Sequence, residues 1–256
     1  MTKKSKIFIV GAGIGDPELM TLKAKKVIES ADVILYDALA NPVILEWAKA
    51  HALKIFVGKR KGYKPYSQTE IQEMLIEYAE NGNQVVRLKG GDPFVLGRGR
   101  EEMAAAQLEN IDTEYIAGIS SAIAAPASIG IPVTYRGVSQ SFWVMTATNE
   151  ANQLTHEIAQ AAATQATVVI LMGWSHLQAI TNIFLKYRNS DTPIAIIQNA
   201  SLPNENAIVS DLENIVEAAT EANLGTPAVI VIGEVVHFAD EKYRKQPIWS
   251  NLNLLA

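Results

Sequence analysis

Val85-Val86-Arg87-Leu88-Lys89-Gly90-Gly91-Asp92-Pro93-Phe94-Val95-Leu96-Gly97-Arg98-Gly99-Arg100 decides the architecture. A short apolar run rich in β-branched residues reads as a buried strand. It breaks into paired glycines and a turn-forming Asp-Pro, with Arg87, Lys89, Arg98 and Arg100 spread across it. In an open parallel sheet, ligands bind just beyond such strand ends. Bare backbone beside positive charge suits a small anionic molecule.

Working outward, apolar runs predict strands at 6–10, 32–36, 53–57, 84–88 and 113–116. Helical patterns fall between them at about 18–29, 42–50, 68–81, 100–109 and 119–129. Ser67 with Glu70 forms a capping box for the third helix, and Ile71, Leu75 and Tyr78 give it one apolar face. Repeated βα units imply a mainly parallel sheet covered on both sides. Loops 11–17, 37–42, 58–66 and 89–98 then meet on one face.

The punctuated segment Gly130-Ile131-Pro132 to Gly137 marks a boundary, giving domains 1–133 and 134–256. Beyond it, apolar runs at 142–147, 167–172, 193–198, 206–210 and 227–232 alternate with helical patterns near 153–163, 175–187 and 211–222. The second half is therefore α/β as well, with a separate sheet.

Charge is unevenly divided. Through Arg136 there are 17 Lys+Arg against 16 Asp+Glu, and after it 5 against 11. The net charge of −5 opposes nonspecific nucleic-acid binding. A local basic surface fits a small polyanion better. The chain has no cysteine, which removes disulfides, thiolate nucleophiles and Cys-ligated metals. Its four histidines show no ligand spacing, so no metal site is expected. The apolar run Ile7–Val10 is too short for a secretory or membrane segment, and a cytoplasmic protein is the expectation.

Gly11-Ala12-Gly13-Ile14-Gly15-Asp16-Pro17 follows the first strand. Alternating glycines allow positive φ and close ligand approach. A dinucleotide fingerprint requires glycine at position 16. Asp16 stands there instead, and its charge would repel a pyrophosphate at a helix start. Asp37, at the end of the second strand, is where a dinucleotide enzyme places its ribose-binding acid, so an NAD(P)-dependent oxidoreductase remains an alternative. Val57-Gly58-Lys59-Arg60-Lys61-Gly62 is a second glycine-bearing cationic loop.

These residues resemble the tetrapyrrole methylases. The similarity runs from about residue 6 to 238 and is carried by Val10–Gly13 with Gly15–Leu19, Thr21–Ala24, Ala31–Val33, Tyr36-Asp37 and Val57–Arg60. The Gln68–Ile71 segment, Val85–Gly99 and Gly233–Val236 complete it. Within the family, the Val85–Gly99 run is that of the members acting on uroporphyrinogen III. The resemblance implies two α/β domains of the class III methyltransferase type with a cofactor cleft between them, and a homodimer. It implies S-adenosyl-L-methionine as methyl donor and S-adenosyl-L-homocysteine as product. Gly13, Ile14, Gly90, Gly91, Asp92, Val95, Ser120, Ser121, Met172 and Ala200 would contact that donor. Asp37 corresponds to the proposed proton acceptor and Lys59 to the proposed donor. Arg60, Lys89, Arg98 and Arg136 would hold the carboxylates of the polyanionic tetrapyrrole.

The implied reaction is C-methylation of uroporphyrinogen III, twice, through precorrin-1 to precorrin-2, for siroheme or cobalamin. The chain departs from the family pattern at Ile14, Arg100, Ser120-Ser121, Tyr135, Thr146–Thr148 and Ala200. Tyr135 and Thr146–Thr148 leave open a sibling acting on a later precorrin. A noncatalytic tetrapyrrole carrier is a further alternative. No nucleic-acid or membrane partner is expected.

Overall fold

The computed structural model describes residues 5–58, 66–149, 151 and 153–243. The chain divides into two compact units, Met1–Ser121 and Ala122–Ala256. In the first, β1 (Lys6–Gly11), β2 (Val33–Tyr36), β3 (Leu53–Phe56), β4 (Gln84–Lys89) and β5 (Asp112–Ile116) form one sheet in the order β3-β2-β4-β1-β5. Every pairing is parallel, so all five strands end on the same edge. The expected strands are all present.

Alternation along the strands splits the core between the two faces. Val86 and Leu88 pack with Val10, Ile28 and Ile34 beneath α1 (Leu22–Ser30). Val85 packs on the opposite face with Ile71, Leu75 and Ala106, from α2 (Gln68–Glu80) and α3 (Gly99–Leu108). Arg87 and Lys89 share Val85's face by the same period of two, which places two cations under α3. The capping box of α2 forms as expected, with Ser67 Oγ accepting from Glu70 N–H and the Glu70 carboxylate accepting from Ser67 N–H. Two expected helices are altered by their prolines. Pro17 and Pro42 each start a 3₁₀ turn, Pro17–Leu19 and Pro42–Trp47, and α1 begins only at Leu22, capped by Thr21.

The second unit carries β6 (Phe142–Thr146), β7 (Thr167–Leu171), β8 (Pro193–Gln198), β9 (Asn206–Asp211) and β10 (Ala228–Ile232) in the order β6-β7-β10-β8-β9. Only β6 and β7 run parallel; the other neighbours are antiparallel. Its helices are α4 (Ser121–Ser128), α5 (Glu157–Ala162), α6 (Leu177–Phe184) and α7 (Ile215–Glu221). All are shorter than their sequence patterns. The division also falls earlier than 133. The segment after α4 is tied to the chain's far end, where Asp240 N–H donates to Ile129 O at 2.9 Å. Gly130, at φ +83°, lies against Phe238 and Asp240. No described helix is long and apolar enough to cross a membrane.

Replacing Ser67 with Ala should lower stability by about 1 kcal/mol, read as a reduced urea midpoint with an unchanged slope. An unchanged midpoint would show that the cap contributes nothing.

Candidate active site

The strand ends of the first sheet are stitched together by backbone. Ala12 N–H donates to Lys89 O at 2.7 Å, and Gly13 and Gly91 exchange hydrogen bonds at 3.2 and 2.6 Å. Gly13 and Gly91 have φ of +66° and +64°, a region that favours glycine. A Cβ at either would meet nothing closer than 3.6 Å, so it is the positive φ and not crowding that favours glycine at these two positions. Gly11 and Gly118 are the opposite case. A Cβ on Gly11 would sit 2.7 Å from Gly91 O, and one on Gly118 would sit 2.7 Å from Gly11 Cα. Asn41 Nδ2 donates to Gly15 O at 2.8 Å, and Gly58 abuts Ala38. The four loops therefore converge as the parallel topology requires, as far as they are described.

Asp92 is the knot of this edge. Its carboxylate accepts from Phe94 N–H (2.8 Å), Tyr115 O–H (2.6 Å) and Gly118 N–H (3.1 Å). The side chain is spent on joining the 90–97 loop to the end of β5. Phe94 stacks on Tyr115 with ring centroids 4.0 Å apart and is itself half exposed. Burial, then the hydrogen bond to Asp92 and its charge, push the Tyr115 hydroxyl up to about 12. Val95 and Ile14 are partly exposed on the same loops.

Asp37 stands between β2 and β4. Its Oδ1 accepts from Leu39 N–H at 3.0 Å, and both oxygens lie within 3.3 Å of Gly90 N–H. Asp16 accepts from Glu18 N–H at 2.8 Å, putting a carboxylate at the start of the first turn. A dinucleotide phosphate at that turn would meet this negative charge, which weighs against the oxidoreductase alternative.

The expected substrate cations fare differently. Lys89 is not presented to solvent. It is 6 % exposed and its Nζ lies 3.1 Å from Glu102 Oε1. Burial, reinforced by Arg87, holds its ammonium below the usual lysine range. Its expected role in grasping substrate is corrected on this ground: the strand period turns it under α3. Arg98 is exposed and pairs with Glu101 at 2.6 Å. Arg136 is exposed in the second unit, within the tight turn closed by Tyr135 and Ser139. Lys59 and Arg60 lie outside the described residues.

Ser120 is buried and Ser121 opens α4. In the second sheet, β6, β7 and β8 end on a common edge, since Leu171 and Ile197 both pair with Val229. Met172 follows β7 with φ +56° and is 58 % exposed. Ala200 follows β8 between Asn199 (φ +52°) and Ser201 (φ +66°). Left-handed non-glycine backbone is costly and gathers at functional sites. Leu96 and Arg98 add two more such residues on the first sheet's loop. Asn110 and Asn223 have an ordinary cause, closing α3 and α7.

Tyr115, Gly118 and Glu102 were not foreseen. Each acts through a partner distant in sequence, and only the glycine at 118, just past a strand end, offered a local cue.

The family model for Tetrapyrrole (Corrin/Porphyrin) Methylases matches residues 6–216. The uroporphyrinogen-III C-methyltransferase of Methanocaldococcus jannaschii is 45% identical over 93% of this chain and 99% of its own. An S-adenosyl-L-methionine-dependent uroporphyrinogen III methyltransferase of Methanosarcina barkeri is 43% identical, over 92% and 93% respectively. A crystal structure of the uroporphyrin-III C-methyl transferase of Thermus thermophilus complexed with S-adenyl homocysteine superposes with a TM-score of 0.79 at 34% identity. It covers 91% of this chain and 99% of the other. This chain belongs to the tetrapyrrole methylase family.

The Asp92 knot has an alkaline signature. Tyr115 is protonated below pH 10 in both folded and unfolded chains; between 10 and about 12 only the unfolded chain ionises. Its contribution to stability is therefore present below pH 10 and lost as pH rises toward 12. Difference absorbance of the wild type against Tyr115→Phe should show one late-titrating phenol. Titration of that phenol near 10 would contradict the knot.

Proposed function

We propose that this chain is an S-adenosyl-L-methionine-dependent C-methyltransferase acting on uroporphyrinogen III, with two successive transfers giving precorrin-2. The observation carrying this reading is the glycine edge of the first sheet, within a chain alike over nearly its whole length to relatives named for that activity. Gly13 and Gly91 put turns without side-chain bulk at the strand ends, which suits close approach by an adenosyl donor. Gly13, Ile14, Gly90, Gly91, Asp92 and Val95 would hold it. Ser120, Ser121, Met172 and Ala200 are the further contacts that the resemblance implies. Asp92 would act through loop shape, because its oxygens already have donors.

When bound, the donor supplies a methyl group already activated by its sulfonium. The protein's task is then alignment, which can contribute roughly 7–11 kcal/mol for well-held reactants. As the new carbon–carbon bond forms, the methyl–sulfur bond breaks and the pyrrole gains positive charge. Loss of a ring proton relieves that charge. Asp37 is a carboxylate at this edge and is held in place by the Leu39 and Gly90 amides. It is the proposed acceptor, with Lys59 the proposed donor. Arg60, Arg98 and Arg136 would hold substrate carboxylates, Arg98 from its pair with Glu101. The proposal includes a cytoplasmic homodimer.

Incubation with uroporphyrinogen III and methyl donor should give a product heavier by two methyl groups with a changed absorbance. Asp37→Ala should keep S-adenosylhomocysteine binding and lose about 10²–10⁴-fold in turnover. Normal turnover in that variant would remove Asp37 from the reaction. Substrate affinity should weaken with added salt more than S-adenosylhomocysteine affinity does, because exposed charge pairs are screened. Equal salt responses would contradict the arginine contacts.

A further inference from the structure

Beneath the strand end that carries Gly90 lies a buried charged cluster that the reaction as described does not use. Arg87 and Lys89 project from β4 toward α3, where Glu102 occupies the first turn. All three are at least nine-tenths buried. Glu102 Oε1 takes Arg87 Nε at 3.2 Å, Lys89 Nζ at 3.1 Å and Gln68 Nε2 at 3.0 Å. Its Oε2 is buried with no hydrogen-bond partner among the described residues. Two cations against one carboxylate leave one positive charge in excess, inside a domain, where an uncompensated charge is expensive.

A compensating group is Asp37, at the end of the neighbouring strand. Arg87 Nη1 and the Asp37 N–H donate to the same carbonyl, Leu88 O, at 3.0 and 3.3 Å. Gly90, next to Lys89 in the chain, donates its N–H to the Asp37 carboxylate. Asp37 is also among the charges that act on Lys89. Counting Asp37, the cluster is neutral.

A purely mechanical role for Lys89 is poorly supported. The 89–92 loop is already fixed by its backbone bonds to Ala12 and Gly13 and by the Asp92 knot. The Lys89 ammonium adds charge more than shape.

We infer that Arg87, Lys89 and Glu102 are positioning residues for the reaction, a buried cluster whose single excess positive charge holds Asp37 in place as a carboxylate. The inference rests on Asp37 being the proton acceptor. The charged groups around Lys89 among the described residues are Arg87 on its own strand, Glu101 and Glu102 on α3, and Asp37 after β2. Gln68 on α2 is neutral.

The test counts charge. Lys89→Met brings the excess to zero, Glu102→Gln raises it to two, and the double variant restores it to one. A lost neighbouring cation favours the protonated carboxylic acid. The acid limb of the kcat profile should therefore move up by about one pH unit in Lys89→Met and down in Glu102→Gln. It should return to the wild-type position in the double variant. At a pH on that acid limb Lys89→Met should therefore lose up to about tenfold in kcat, with the neutral-pH plateau and S-adenosylhomocysteine affinity by calorimetry each kept within about twofold.

A double variant as shifted as Lys89→Met, or parallel loss of kcat and S-adenosylhomocysteine affinity, would overturn the inference. So would profiles that do not move. Should Lys89→Met fail to fold, the opposite shift in Glu102→Gln and the recovery in the double variant decide the matter alone. The underlying reading is tested separately by wild-type turnover and by Asp37→Ala. Failure of either takes the inference with it, whereas unmoved profiles beside an inactive Asp37→Ala overturn only the cluster's role.

Discussion

Three backbones meet at Gly11, Gly91 and Gly118 more closely than any side chain allows, and the rest of the site follows from that approach. Because β1, β4 and β5 are adjacent and parallel, their ends arrive together, and only glycine lets the turns that follow touch. The touching turns then exchange main-chain hydrogen bonds instead of burying apolar side chains. What is left around the joined turns is backbone with little side-chain bulk, which a small polar molecule can approach closely.

Charge is arranged in two layers about this edge. Arg98 and Glu101 lie outside, half exposed, where an ion pair contributes little and is easily exchanged for a ligand. Arg87, Lys89 and Glu102 lie inside, where breaking a pair costs roughly 3–5 kcal/mol and net stabilisation is small. Such a cluster is better explained by what it does to its neighbours than by what it adds to stability. Asp37 and Asp92 stand between the layers, and each is fixed by amides from a loop other than its own.

Much of this was legible in the sequence. Apolar runs located the ten described strands, most plainly the central ones, which are buried on both faces and must be apolar, and the βα alternation gave the parallel run of the first sheet. The glycine turns and Asp37 followed from strand ends. The reading failed where a residue's fate depended on a distant partner. Lys89 looks like a loop cation until the period of two turns it beneath α3. Asp92 looks like a ligand contact until Tyr115 and Gly118 take its oxygens. Pro17 and Pro42 were compatible with helix starts, yet the segments behind them were long enough only for 3₁₀ turns. The unit boundary was placed at the Gly-Pro punctuation, whereas the chain divides before it, since residues 129–130 pack on 238–240.

The claim that the glycine contact creates the donor site is tested most directly by calorimetry of S-adenosylhomocysteine on the wild type and on Gly118→Ala. A methyl group there must push Gly11 and Gly91 apart, so affinity should fall roughly tenfold or more, ~1.4 kcal/mol at the least, while the protein still unfolds cooperatively. Equal affinity in a folded Gly118→Ala protein would contradict the account.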